Sequence, residues 1–163
     1  MKQTLIALMQ DKPGVLDRVA SLFRRRNFNI ESLSVGHSET SGISRMTLVI
    51  ECEDHIQQEQ VVKQFRKLID VTKVVEDVTP DVAVYRELAL VKVAASLENR
   101  SAIIQLVDIF RAQVIDVAPT SLTVEITGTE DKVASFVDLL RPFGIKELAR
   151  TGRVAMLRGS NGK

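Results

Sequence analysis

The 163-residue sequence has no tryptophan, one tyrosine and six phenylalanines, so aromatic residues amount to 4%. So few rings leave little platform for stacking bases or flat cofactors, which weighs against a nucleic-acid-reading sheet. The single cysteine, Cys52, excludes an intramolecular disulfide. Its place at the end of the apolar run 46–52 marks a buried or strand-end thiol rather than a nucleophile, in keeping with a cytoplasmic protein. The two histidines, His37 and His55, have no second histidine or cysteine at ligand spacing, so no metal site is visible. Phosphate-loop, dinucleotide, zinc-protease and nucleophile-elbow motifs are missing as well. No apolar stretch approaches the roughly 18 residues of a membrane span, and the N-terminal stretch has no small-residue cleavage site, which reads as neither a membrane nor a secreted chain. The net charge is +1 with both signs interleaved, so there is no basic footprint for nucleic acid. Arg24-Arg25-Arg26 reads as a solvated helix end, with cations at the negative end of the helix dipole.

Hydrophobic residues make up 45% and charged residues 26%, the balance of a chain that folds around a core. Residues 5–9 form a short apolar run closed by Asp11-Lys12-Pro13-Gly14, a strand ending in a turn. Val15, Leu16, Val19, Leu22 and Phe23 then share one face of a predicted helix, with Asp17, Arg18, Arg24 and Arg25 on the other side and Asn27 as a stop. Residues 29–35, a polar loop at 36–42 and residues 46–52 predict strand, hairpin loop, strand. A helix over 55–69 and a strand over 71–78 complete a βαββαβ order.

The order begins again after Tyr85: strand 88–94, helix 101–110, strands 113–117 and 122–127, helix 130–140, and extended segments at 145–148 and 154–157. Pro80 breaks helix or ladder between the two sets, so the predicted domains are 1–79 and 80–163. The fold class is α+β, two ferredoxin-like βαββαβ domains in tandem. The tail 158–163 is expected to fray.

With catalytic constellations lacking, the first turn holds the one arrangement that chemistry can use. Gly14, Val15 and Leu16 open a helix, so their N–H groups have no intrahelical acceptor and point outward with the positive end of the dipole, a ready carboxylate site. Gly14 has no Cβ to keep a ligand away, and Asp11 and Asn29 can supply oxygens to an ammonium group. An α-amino acid carries both groups. The plain structural alternative is that Asp11 caps the helix and Gly14 serves the turn.

The run Asp11-Lys12-Pro13-Gly14-Val15-Leu16 ahead of an amphipathic helix, inside a βαββαβ unit, resembles an ACT domain, a module that binds small effectors. Asn29-Ile30-Glu31-Ser32-Leu33-Ser34-Val35, Ser44-Arg45-Met46-Thr47, Lys67-Leu68-Ile69-Asp70-Val71, Arg86-Glu87-Leu88-Ala89-Leu90-Val91-Lys92-Val93 and Phe110-Arg111-Ala112-Gln113-Val114-Ile115-Asp116-Val117 resemble the small regulatory subunit family of acetolactate synthase (acetohydroxyacid synthase). That resemblance implies a chain without a catalytic site or cofactor. The resemblance further implies a separate catalytic (large) subunit that carries thiamine diphosphate, magnesium and FAD. It also implies activation of that partner, feedback inhibition by a branched-chain amino acid, usually valine, and a homodimer of paired ACT domains with effector between two chains. The positions carried over are Asp11, Gly14, Val15, Leu16, Asn29 and Ile30. Some family members have asparagine where this chain has Asp11, and a carboxylate there attracts a ligand's ammonium but repels its carboxylate. A free-standing amino-acid sensor acting on gene expression, or a small α+β enzyme, are the alternatives. The first needs a basic docking surface and the second needs activity without a partner.

Overall fold

The computed structural model describes residues 1–159. Along the chain run β1 (Lys2–Gln10), α1 (Val15–Arg25), β2 (Asn29–His37), β3 (Ile43–Glu51), α2 (His55–Phe65), β4 (Val71–Val75), β5 (Ala83–Ala94), α3 (Arg100–Ile109), β6 (Gln113–Ala118), β7 (Ser121–Gly128), α4 (Glu130–Leu140), β8 (Ile145–Arg150) and β9 (Val154–Leu157). Two βαββαβ sets follow one another, as the periodicity predicts. The antiparallel sheets have the orders β2-β3-β1-β4 and β6-β7-β5-β8, with β9 pairing β5. The compact units are Met1–Val84 together with Arg153–Lys163, and Tyr85–Gly152. The sequence-based division at 79/80 followed chain order and Pro80, whereas by contact the segment after Gly152 goes with the first unit. Of the tail expected to fray, Arg158 donates its N–H to the Val82 carbonyl (2.9 Å), and residues 160–163 lie outside the described residues.

In the first unit Leu5, Ala7 and Met9 of β1 and Met46, Leu48 and Ile50 of β3 form one buried layer. It packs against Val15, Val19 and Phe23 of α1 and Val61, Val62 and Phe65 of α2. Two periods meet there, alternate residues of a strand and every fourth of a helix. α1 stops where the sequence said it should. Asn27 adopts φ 56°, its N–H reaches the Arg24 carbonyl and the next N–H, of Phe28, reaches the Phe23 carbonyl, while the two phenylalanine rings meet edge to face at 6.0 Å.

The second unit repeats this in detail: Arg111 adopts φ 54°, its N–H reaches Asp108 and that of Ala112 reaches Val107. The edge strand of each sheet also carries a bulge at the matching place, between Ile30 and Ser32 in β2 and between Val114 and Asp116 in β6. Element order alone suggested a duplication, and shared caps and bulges support it.

One helix ends early. α2 stops at Phe65, four residues before the predicted end, and turns through Lys67 and Leu68 toward Gln64 and Phe65. The turns bring Asp70 back under the first loop, where its carbonyl accepts the Gln10 N–H (2.9 Å). Ile69, counted on the apolar stripe, is left 89% exposed.

Cys52 is buried, as its apolar run suggested. Burial pushes its thiol up; the N-terminal ammonium opposes this and Asp54 adds to it. Only the thiolate alkylates. At neutral pH Cys52 should therefore label with iodoacetamide roughly 1000-fold more slowly in the native chain than in denaturant, followed by mass spectrometry. Comparable rates would place the thiol outside the core.

Candidate functional site

The loop after β1 is fastened at each step. Gln10 donates to Asp70, Asp11 donates its N–H to the Gly42 carbonyl (2.9 Å) and Lys12 donates to the Gln10 carbonyl (3.1 Å). Pro13 pre-sets the turn, and Gly14 takes the N-cap position at φ 86°, ψ −8°, a left-handed conformation that glycine adopts without the penalty of a Cβ. Its carbonyl accepts the Arg18 N–H (3.0 Å), the first bond of α1. The N-cap makes no side-chain bond. Asp11 therefore does not cap the helix; its Oδ2 lies 3.1 Å from His37 Nδ1.

The first-turn donors are unequally available. Val15 turns its N–H back to Lys12 at 3.4 Å, a long contact, and its side chain is buried in the core. Only its backbone could meet a ligand. Among the described residues the N–H groups of Leu16 and Asp17 find no backbone acceptor, as expected of a first turn. The Leu16 side chain is 49% exposed, an apolar surface next to those donors.

Asn29 and Ile30 are elsewhere. β3 aligns Asn29 with Glu51, which β1 pairs with Lys2, and aligns His37 with Ser44, which β1 pairs with Met9. Asn29 thus stands at the opposite end of the sheet from the Asp11 loop, about 25 Å along an extended strand. The Ile30 side chain packs against the core, so its backbone is what the surface offers. One chain brings Asp11, Gly14, Val15 and Leu16 together and leaves Asn29 and Ile30 apart from them.

Two side chains that the sequence reading left in solvent frame the loop. Arg18 Nε donates to Asp70 Oδ2 at 2.6 Å, and its Nη1 would lie 3.5 Å from a Cβ built on Gly14. Its i+4 position relative to Gly14 could have signalled this. His37 could be placed only with the strand register known. Arg24, Arg25 and Arg26 are exposed at the end of α1, matching the solvated-end reading.

The matching loop of the second unit is closed upon itself. Ser96 N–H donates to Asn99 Oδ1 (2.7 Å), Asn99 N–H to Ser96 Oγ (3.3 Å), and Arg100 Nη2 to the carbonyls of Ala118 (2.9 Å) and Pro119 (3.1 Å). Residue types that hydrogen-bond their own backbone take the place of the glycine and aspartate. Among the described residues no group of three or more His, Cys, Asp or Glu could hold a metal ion, and no helix is long and apolar enough to cross a membrane.

Residues 5–73 match the family model of the ACT domain of acetohydroxyacid synthase small subunits, and residues 86–159 match that of the small subunit of acetolactate synthase. The acetolactate synthase small subunit of Mycobacterium bovis is 53% identical over 159 residues, covering 98% of this chain and 94% of its own. That of Bacillus subtilis is 44% identical over 163 residues, covering 100% and 94%. The crystal structure of the acetolactate synthase small subunit from Thermotoga maritima superposes with a TM-score of 0.91 at 45% identity, over 97% of this chain and 98% of that one. With both units matched and the relatives aligned nearly end to end, the chain belongs to the acetolactate synthase small-subunit family, and its first unit is an ACT domain.

Proposed function

We propose that this regulatory subunit activates a separate, thiamine diphosphate-dependent catalytic subunit in the cytoplasm and makes it sensitive to feedback by a branched-chain amino acid, valine first. In this reading thiamine diphosphate, magnesium and FAD belong to the partner. Free N–H groups at Leu16 and Asp17 and the bare backbone of Gly14 would receive the effector's carboxylate, and Asp11 its ammonium. The exposed Leu16 gives a branched side chain an apolar neighbour.

The observation that carries the reading is the separation of Asn29 from the Asp11 loop. Among the described residues β2 is an edge strand, its outer row of donors and acceptors open to another strand. A twofold antiparallel ladder between two copies, centred on Leu33, puts Asn29 of each opposite His37 of the other. His37 touches Asp11, so Asn29 of one copy would complete the loop of the other. The site would then exist twice per dimer and in no monomer.

Mixing two defective chains tests this. Gly14→Asp damages the loop and Asn29→Ala the opposite end, and each alone should bind valine less than a tenth as well as wild type. Equal amounts refolded together should recover about a quarter of the wild-type sites by calorimetry, because half the dimers are mixed and each of those holds one undamaged site. No recovery would place the site within one chain. A wild-type chain that binds neither valine, leucine nor isoleucine would remove the effector reading.

A further inference from the structure

In an isolated two-layer unit the sheet face turned away from the helices meets water. Thr4 and Ile6 of β1 and Thr47 and Val49 of β3 point that way, alternating with the core residues, yet they are only 4, 2, 2 and 3% exposed. Part of their cover is the far end of the chain. Arg153 Nη1 donates to Thr4 Oγ1 (2.8 Å), Ala155 N–H donates to Thr47 Oγ1 (3.4 Å) and Arg45 Nη2 donates to the Ala155 carbonyl (2.9 Å). Ala155 is fully buried there.

The approach to this segment is short. Thr151 is fixed within the second unit: its N–H donates to the Leu88 carbonyl (3.0 Å) and its Oγ1 accepts the Leu88 N–H (3.1 Å). Gly152, at φ 74°, alone separates Thr151 from Arg153. Two peptide units span at most about 7 Å, so a displacement of Thr151 beyond that slack must pull on Thr4 and Thr47 or break the bonds to them. The segment is held by these polar bonds, by the pairing of β9 with β5 and by the burial of Ala155. A cleft of about 340 Å³ lined in part by Ile6, Leu8, Val75 and Met156 lies beside it, and Met156 itself is 64% exposed. A short, partly exposed strand beside a cleft opens at lower cost than a strand of the core.

We propose that residues 153–157 are the strap through which effector binding in the ACT domain reaches the rest of the chain, seated on the sheet in one regulatory state and loosened in the other. The proposal rests on the effector reading above. Its geometry is that the strap bonds β1, which ends in the Asp11 loop, and β3, which aligns Arg45 with both Leu8 of β1 and Gly36 of β2. A shift of those strands against each other changes the spacing of Thr4, Thr47 and Arg45, and hence the fit of the strap.

The test uses the full chain reconstituted with its catalytic subunit, and valine as the probe. In Thr47→Val/Arg45→Gln the strap loses two of its fastenings while the loop and Asn29 are untouched. Valine should bind by calorimetry within about twofold of wild type, while the concentration for half-inhibition should rise at least roughly tenfold, within the usual range of allosteric coupling. In the wild-type chain, hydrogen exchange at the Ala155 amide should change about fivefold or more on saturation with valine, a measurement that stands even if the double variant fails to fold. Normal inhibition of the folded variant, loss of valine binding along with inhibition, or an Ala155 amide indifferent to valine overturns the strap. A wild-type holoenzyme indifferent to valine, leucine and isoleucine overturns the effector reading instead, and the strap's regulatory role with it.

Discussion

Arg150→Ala should destabilise the second unit by about 3 kcal/mol, read as a lower urea midpoint at unchanged slope. Glu87 on β5 is 5% exposed, and Arg150 on β8 meets it with both arms of its guanidinium, Nε to Oε1 at 2.7 Å and Nη2 to Oε2 at 2.8 Å. The hydrogen bond to Glu87 is what raises the arginine's own pKa most. Removing the arginine leaves a carboxylate buried without its partner, and such losses cost roughly 3–5 kcal/mol when the pair is wholly buried. Arg150 is 34% exposed, so water offsets part of the loss and the lower end applies. The control is Glu87→Leu/Arg150→Met, which removes both charges and should return to within about 1 kcal/mol of wild type, because an apolar pair needs no desolvation. A midpoint for Arg150→Ala within experimental error of wild type would show that the pair is neutral. The pair also fixes β8 immediately before Thr151, so the single variant should loosen the attachment of the strap.

How much of this was legible in the sequence depends on how local the cause was. The loop and α1 were legible because Pro13, Gly14, the stripe Val15, Val19 and Phe23, and the stop at Asn27 all act within a few residues of one another. The second βαββαβ set was legible for the same reason. The early end of α2 was not, because helical spacing continues to Ile69 while Asp70 is drawn off by Gln10 and Arg18 from sixty and fifty-two residues away. The contact of Asp11 with His37 depends on strand register, and register is a property of the sheet. The strap was invisible in the same way. Residues 154–157 read correctly as extended, but nothing in their pattern says that Thr4 and Thr47, more than a hundred residues earlier, are their partners. Within the candidate site the residue types were legible, whereas the distance between Asn29 and the Asp11 loop within one chain required the strand register.

Gly14→Asp should raise the valine concentration for half-inhibition of the reconstituted holoenzyme at least roughly tenfold, with little loss of stability. A side chain at φ 86° costs about 1–2 kcal/mol for an ordinary residue and less for aspartate, which visits the left-handed region more readily. Space is available, since the new Cβ would meet only Arg18 Nη1 at 3.5 Å and Cζ at 4.0 Å, ordinary contact distances. A carboxylate there also suits the positive end of the helix dipole. Those same features make it a competitor. Its carboxylate would take the donors proposed for the effector and would face the Arg18 guanidinium, so the incoming carboxylate loses its hydrogen bonds and meets a like charge. Hydrogen bonds to charged groups are worth roughly 1.5–3 kcal/mol each, and 1.4 kcal/mol is a factor of ten in affinity. Gly14→Ala separates charge from strain: it carries the left-handed penalty but leaves the donors free, so it should lower thermal stability more than Gly14→Asp and weaken valine inhibition less. Equal inhibition of both variants and wild type would remove the loop from the site; equal loss in both would mean that the loop's shape, rather than its capacity to bind an anion, governs the response.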